Sequence, residues 1–387
     1  MPADMLACQR DAFEIPREVA YFDSAAYSPL PHGVRAAGEA GVLTKARPWE
    51  TGRSEDGAWA DRARAAAARL IGAAAGDVAV IGAVSYGVAT AARNLVLTPG
   101  GRILLMQDEF PSLALVWQGV AAAQDLEIEV VPRPADGDWT TALSEAIGRP
   151  GARPIAVAAL TPLHWSDGAR VDLDVLAPAI RAQGGALIVD ATQAAGVIDI
   201  DVSVLQPDFL VFPTYKWLLG PYSLAFLYAA PHRQGGAPLE FNGGNHRDGA
   251  IVAGATRFDR GERNDPVGLR MAATALELVQ SWGVHQIAAR LSYLTGLLAE
   301  RLGGLGVQML PRHLRAPHVL GVRLPGGMPT GLIARLAEQG VFASDRLGVL
   351  RVSPHVWADE ADVERFAGVV KDAWQGSKPA QIQNFRL

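Results

Sequence analysis

Cysteine is almost missing: Cys8 is the single one in a chain of 387 residues. That excludes an internal disulfide and a cysteine metal cluster, and no metal site is expected. No apolar run reaches the roughly 20 residues needed to span a bilayer. The stretch "MPADMLACQRDAFEIPREV" has no basic segment followed by an apolar one, so no signal peptide is expected. Basic tracts are absent too: the 35 Lys and Arg are spread along the chain and the formal net charge is -5. Both facts argue against a nucleic-acid or anionic-membrane partner. Repeats and low-complexity tracts are not found. What remains is an ordinary soluble globular protein, expected in the cytoplasm, with 49% hydrophobic and 19% charged residues. Its length suits two lobes of about 100–200 residues each.

From about residue 57 helix-period and strand-like segments alternate. "GAWADRARAAAARLIGA" has helical spacing, and "DVAVIG" is a short apolar run that reads as a buried strand. "RILLMQ", "EIEVVPR", "PIAVAAL", "ALIVDA", "DFLVFP" and "LAFLYA" repeat that signal, with "TALSEAIGR" and "LDVLAPAIRAQG" as helices between them. Such alternation implies a mostly parallel, buried sheet covered by helices. Past residue 260 two long amphipathic helices, "PVGLRMAATALELVQSW" and "VHQIAARLSYLTGLLAERLGGL", precede the strands "HVLGVRL" and "GVLRVSPH". The expected division is a large domain over 17–255 and a smaller α+β domain over 256–387, with 1–16 packing on it.

In a parallel α/β sheet, ligands sit at the carboxyl ends of the strands. Four places qualify. In "VIGAVSYGVATAARNL" a strand runs through a small-residue turn into a helix, and the free N–H groups there favour a phosphate. Ser85 adds a hydroxyl, or merely caps the helix. In "ALIVDATQAAG" Asp190 ends a buried strand, either as a helix cap or as the partner of a ring N–H⁺, with Gln193 three residues on. In "FPTYKWLLGPYSLAFLYAAP" Lys216 follows a strand among aromatic residues. An apolar setting lowers a lysine's pKa and suits Schiff-base chemistry, while a snorkelling lysine is the plainer reading. In "LLMQDEFPSLALVWQ" Phe110 lies just past a strand end, as core or as a plate against a flat ligand. Taken together, a phosphate cradle, a buried Asp, a Lys and an aromatic plate suit pyridoxal 5'-phosphate.

From "YFDSAAYSPLP" to "LRVSPHVWADEADVERF" the chain resembles the fold-type I, class V aminotransferase superfamily of pyridoxal-phosphate enzymes. That superfamily includes cysteine desulfurases, kynureninases, isopenicillin-epimerase-like proteins and transaminases. "VDATQ" and "YKWLLGP", 26 positions apart counting 190 to 216, carry the resemblance most strongly. It implies that Lys216 forms the Schiff base and moves protons at Cα, that Asp190 pairs with the pyridinium nitrogen, and that Gln193 reaches the ring hydroxyl. Ser85 and the backbone of Tyr86 would hold the phosphate. Tyr215 would bond the phosphate and Phe110 stack on the ring, both as in kynureninases. Arg351 in "LRVSPHVW" matches the arginine that binds the substrate α-carboxylate, a task suited to a guanidinium fork; the plainer reading is a surface ion pair. Ala26 falls where the family's N-terminal loop closes over the substrate, so the resemblance implies that it lines the substrate site. His164 and Trp165 would shape the pocket, although core packing explains a lone Trp equally well.

The departures narrow the chemistry. Desulfurases need a mobile-loop cysteine, and "GVFASDRLGVLRVS" has none, so persulfide formation is not expected. Kynureninases carry aromatic residues where this chain reads "FNGGNHRDG", with Asn242, Asn245 and His246, which argues against kynurenine as substrate. In "TRFDRGERND", similar to the family's subunit-interface loop, Glu262 stands where desulfurases have a hydroxyl. The expectation is a homodimeric enzyme acting on a free α-amino acid, with some preference for lyase chemistry. Aminotransferase, racemase or epimerase, and non-catalytic binding protein stand as alternatives.

Overall fold

The computed structural model describes residues 5–51 and 57–375, so the polar C-terminal tail lies outside the described residues. The chain forms two units. The larger comprises Leu30–Pro162 and Val171–Ser281; the smaller comprises Met1–Pro29, Leu163–Arg170 and Trp282–Leu387.

The larger unit is built on seven strands: β1 (Val78–Ile81), β2 (Arg102–Met106), β3 (Glu127–Val131), β4 (Ile155–Leu160), β5 (Ala186–Asp190), β6 (Phe209–Pro213) and β7 (Ala225–Ala229). They lie in the order β1-β7-β6-β5-β4-β2-β3. Neighbours are parallel except around β7, which runs antiparallel to both β1 and β6. Every residue of β5, β6 and β7 is buried, as unbroken apolar runs covered on both faces require. β3, at the sheet edge, keeps Glu127 and Val130 exposed.

The helices α1 (His32–Ala46), α2 (Ala58–Leu70), α3 (Val84–Asn94), α4 (Pro111–Gln124), α5 (Trp139–Gly148) and α6 (Leu173–Ala182) belong to this unit, and so does α7 (Gly268–Trp282) up to its last residue. Gln280 of α7 donates to the Ala66 carbonyl at 2.7 Å, and Glu277 pairs with Arg62 at 2.6 Å, both on α2. These contacts put the division after α7, not at the expected position near residue 255.

The smaller unit has α8 (Val284–Gly303), β8 (Leu320–Val322), α9 (Leu332–Glu338), β9 (Ser344–Arg346), β10 (Val349–Val352) and α10 (Glu360–Gln375). Its antiparallel sheet has the order β8-β10-β9. Two segments outside the expected boundaries join it. Ala20–Tyr21 pairs in parallel with Val341–Phe342, and Phe22 packs edge-on against Phe366. Residues 163–170 form a strap beside β8. A Cβ on Gly321 would lie 2.6 Å from the Cβ of Asp167, so only glycine admits the strap that closely. Among the described residues, no helix is long and apolar enough to cross a membrane.

Candidate active site

β6 ends at Pro213, and the turn that follows is pinned at its base. The Thr214 carbonyl accepts the Gly220 N–H at 2.8 Å, and the Thr214 hydroxyl donates to the Pro221 carbonyl at 2.6 Å. This turn carries Lys216, which is only 7% exposed. Its Nζ lies 5.7 Å from the ring centroid of Phe110 and 5.5 Å from that of Tyr215. Tyr215 is itself stacked on Tyr222, with centroids 4.1 Å apart and planes at 17°. Burial of the amine and ring faces on two sides are at odds with a snorkelling lysine.

On the neighbouring strand, Asp190 is the last residue of β5, paired in register with Val211 of β6. Its carboxylate is buried and accepts the Thr192 N–H at 2.8 Å. Burial raises its pKa, against the hydrogen bonds from Thr192 and the charge of Lys216. Gln193 is also buried, and its Oε1 accepts the indole N–H of Trp217 at 2.7 Å.

After β1 the chain enters α3 through Ala83, an N-cap with no side-chain oxygen. Ser85 stands in the first turn, past the cap position, so its side chain is not the helix cap. The opening N–H groups of α3 therefore remain suited to an anion. Tyr86 follows, its hydroxyl buried and without a hydrogen-bond partner, and burial pushes that phenol up to about 12. A Cβ on Gly87 would lie 2.4 Å from Val211 Cγ1, so glycine lets α3 sit directly on β6.

Phe110 is the N-cap of α4 and is 40% exposed. Glu109, just before it, is a residue that sequence reasoning missed. Its Oε1 accepts the Phe110 N–H at 2.7 Å, while Oε2 is buried without a partner. The residue as a whole is partly exposed, but its carboxyl group is enclosed, and burial drives the pKa up to about 8.

Thus Ser85, Tyr86, Phe110, Asp190, Gln193, Tyr215 and Lys216 all lie at or just past the carboxyl ends of strands in the large sheet. A competing open cleft of about 600 Å³ lies at the opposite, amino ends, lined by Gly185, Pro207 and Asp208 among others. Its buried carboxylate, Asp208, is taken up by the Leu187 N–H at 2.8 Å and Arg233 Nε at 2.7 Å.

The remaining expected residues belong to the smaller unit. Arg351, in the central strand β10, is 2% exposed, which overturns the surface-ion-pair reading. It donates to the Trp165 carbonyl at 3.0 Å and lies 3.4 Å from Asp23 Oδ1. Its Nε is buried without a partner, and burial lowers the guanidinium pKa to about 10. Ala26 closes the turn that starts at Asp23, donating its N–H to the Asp23 carbonyl at 3.0 Å. His164 is fully buried inside the strap, its Nδ1 2.9 Å from Ser166 Oγ, while Trp165 is half-buried. In the larger unit, Asn242 and Asn245 tie their loop together and to the segment at 257–259: Asn245 donates to the Glu240 carbonyl at 2.6 Å and the Arg257 carbonyl at 3.2 Å, and Asn242 accepts the Gly244 N–H at 2.8 Å and donates to the Asp259 carbonyl at 3.2 Å.

The larger unit's donor set fits pyridoxal phosphate. A buried carboxylate is placed for a ring cation, an uncapped helix end for a phosphate, an enclosed amine for an aldehyde and an aromatic face for a flat ring. A fold and site of this kind define the pyridoxal-phosphate-dependent α/β enzymes. The chain belongs to the aminotransferase class-V family, whose model matches residues 20–366. It is 28% identical to the uncharacterized aminotransferase YcbU of Bacillus subtilis, over 75% of this chain and 77% of that protein. It is 29% identical to a kynureninase of Deinococcus radiodurans, over 68% of this chain and 65% of that one. Among solved structures, the apo cysteine desulfurase of Thermococcus onnurineus NA1 shares the fold, with a TM-score of 0.84. The match covers 97% of this chain and 98% of that one at 22% identity.

Proposed function

We propose that this enzyme acts at the α-carbon of a free amino acid, with Lys216 as both the anchor of the cofactor and the base that moves the Cα proton. The observation that carries the reading is the enclosed amine of Lys216 beside the rings of Phe110 and Tyr215, one strand from a buried Asp190. When bound, pyridoxal phosphate supplies an electron sink for the pair left at Cα. Asp190 holds the proton on the ring nitrogen, and a cation facing it offsets the burial that now raises its pKa. Ser85 and the first N–H groups of α3 bind the phosphate, joined by Tyr215, and Phe110 supplies an apolar ring face. Arg351 receives the substrate α-carboxylate. Its position is set by Asp23 and the Trp165 carbonyl, so the guanidinium is pre-organised.

For the reaction, we favour expulsion of a group from Cβ. The absence of cysteine from 341–353 argues against a route through a protein-bound persulfide. Transamination and racemisation are the competing outcomes. Homodimerisation and a cytoplasmic location are part of the proposal; Trp49 and Phe241, 77% and 62% exposed, suit burial against a second copy.

Two measurements test this. Purified protein should show a visible cofactor band that Lys216→Ala abolishes, and a wild-type protein without that band would refute the reading. A panel of amino acids, with and without a keto-acid acceptor, then identifies the reaction. Keto acid plus ammonia without an acceptor means elimination, and dependence on the acceptor means transamination.

A further inference from the structure

A glutamine amide is nearly symmetric in shape, and flipping it exchanges a donor for an acceptor. At most places on a protein this costs little. Gln193 is different, because its Oε1 lies 2.7 Å from the indole nitrogen of Trp217. An indole N–H donates and cannot accept, so the flipped amide would face N–H against NH2. Both residues are buried, Trp217 being 1% and Gln193 7% exposed, so water cannot relieve that clash. The amide oxygen is held toward Trp217, and the NH2 group must face away from it.

We propose that Trp217 is a positioning residue that locks the Gln193 amide so that its NH2 group, never its carbonyl, meets the ring oxygen of the cofactor. This rests on the cofactor reading above and adds a polarity to it. A donor opposite that oxygen favours its deprotonated, anionic form, whereas a carbonyl there would repel it. Because Trp217 immediately follows Lys216, one turn carries both the anchoring amine and the part that orients its neighbour.

The test uses the full-length protein stripped of cofactor and equilibrium dialysis against two ligands: pyridoxal phosphate and the deoxy analogue that lacks the ring hydroxyl. Trp217→Phe should weaken pyridoxal phosphate about tenfold and leave the analogue unchanged. The cofactor's absorbance should shift toward the band of the neutral ring oxygen. Gln193→Ala should show the same selectivity, and the double variant should lose little more than either single one. Equal losses for both ligands would mean that Trp217 only packs, and would overturn the lock, as would additive losses.

Should Trp217→Phe fail to fold, Gln193→Glu tests the lock with the indole in place. A second carboxylate oxygen should then face the ring oxygen and weaken pyridoxal phosphate more than Gln193→Ala does, again sparing the analogue. Wild-type affinity in Gln193→Glu would overturn the proposal. A wild-type protein that binds neither ligand through Lys216 overturns the cofactor reading itself, and the lock with it. Lys216-dependent binding without selectivity between the two ligands overturns only the lock.

Discussion

Replacing Glu109 by Gln should stabilise the cofactor-free protein at neutral pH and leave it nearly unchanged in mild acid. The Glu109 carboxyl accepts one N–H, from Phe110, and leaves Oε2 enclosed without a partner. Burial raises its pKa from the ordinary 4.5 to about 8; the Phe110 bond opposes that rise and the charge of Asp190 adds to it. The folded state therefore keeps its proton longer than the unfolded chain does. Its advantage is fully present below 4.5, is lost as pH rises toward 8, and stays lost above. The full effect is about 5 kcal/mol and the part lost by pH 7 is about 3 kcal/mol. Gln keeps the shape and the acceptor for Phe110 but carries no charge. Urea unfolding of both proteins between mild acid and pH 8 gives the difference directly, since every other titration cancels. It should grow from near zero to several kcal/mol. A difference that stays flat with pH would refute the argument, because the carboxyl would then be ionised at little cost.

Three other substitutions follow from the same geometry. Asp190→Asn should weaken pyridoxal phosphate by roughly ten- to a hundredfold through loss of a charge-assisted hydrogen bond, and should stabilise the cofactor-free protein above the ordinary carboxylate range, both by titration. Arg351→Lys should raise KM for the amino acid more than about tenfold while the cofactor band stays intact, measured by steady-state kinetics and absorbance. Gly87→Ala should cost about 1–3 kcal/mol in urea unfolding, since its Cβ would meet Val211 Cγ1 at 2.4 Å.

The central strands of the large sheet were legible because each is an unbroken apolar run, and Asp190 and Lys216 stood out because one ends such a run and the other follows one by three residues. A further signal was there to use. Of the lysines Lys45, Lys216 and Lys371, only Lys216 is buried, and the chain holds just four lysines among its 35 basic residues. The domain division was less legible, because α7 has the same amphipathic texture as α8 and only its partners, Arg62 and Ala66, assign it to the larger unit. The strap at 163–170 joins the smaller unit through a close approach at Gly321, which no local periodicity encodes. Glu109 went unnoticed beside Phe110 for a related reason. Its role comes from enclosure, and a charged residue in a loop sequence reads as solvated.

The site is recognisable, finally, by where the chain is inconsistent with itself. Two buried pairs elsewhere bring opposite charges together: Arg64 meets Asp259 through two bonds of 3.0 and 2.8 Å, and Arg10 meets Asp362 at 2.7 Å. The candidate residues of each unit, taken separately, are less evenly compensated. In the larger, Asp190 and Glu109 are both held above their ordinary pKa by burial, Tyr86 has an orphan hydroxyl, and α3 starts without a side-chain cap. In the smaller, burial outweighs Asp23 and pulls the Arg351 guanidinium down to about 10. Each of these groups costs stability as it stands. A cation facing Asp190, as a ring N–H⁺ would provide, would offset its burial, and the Arg351 guanidinium, 3.4 Å from Asp23, suits a second carboxylate. Hence cofactor binding should stabilise the protein by about 2.7 kcal/mol at a hundredfold excess over Kd. The gain should shrink in Asp190→Asn, whose binding edge has already been relieved.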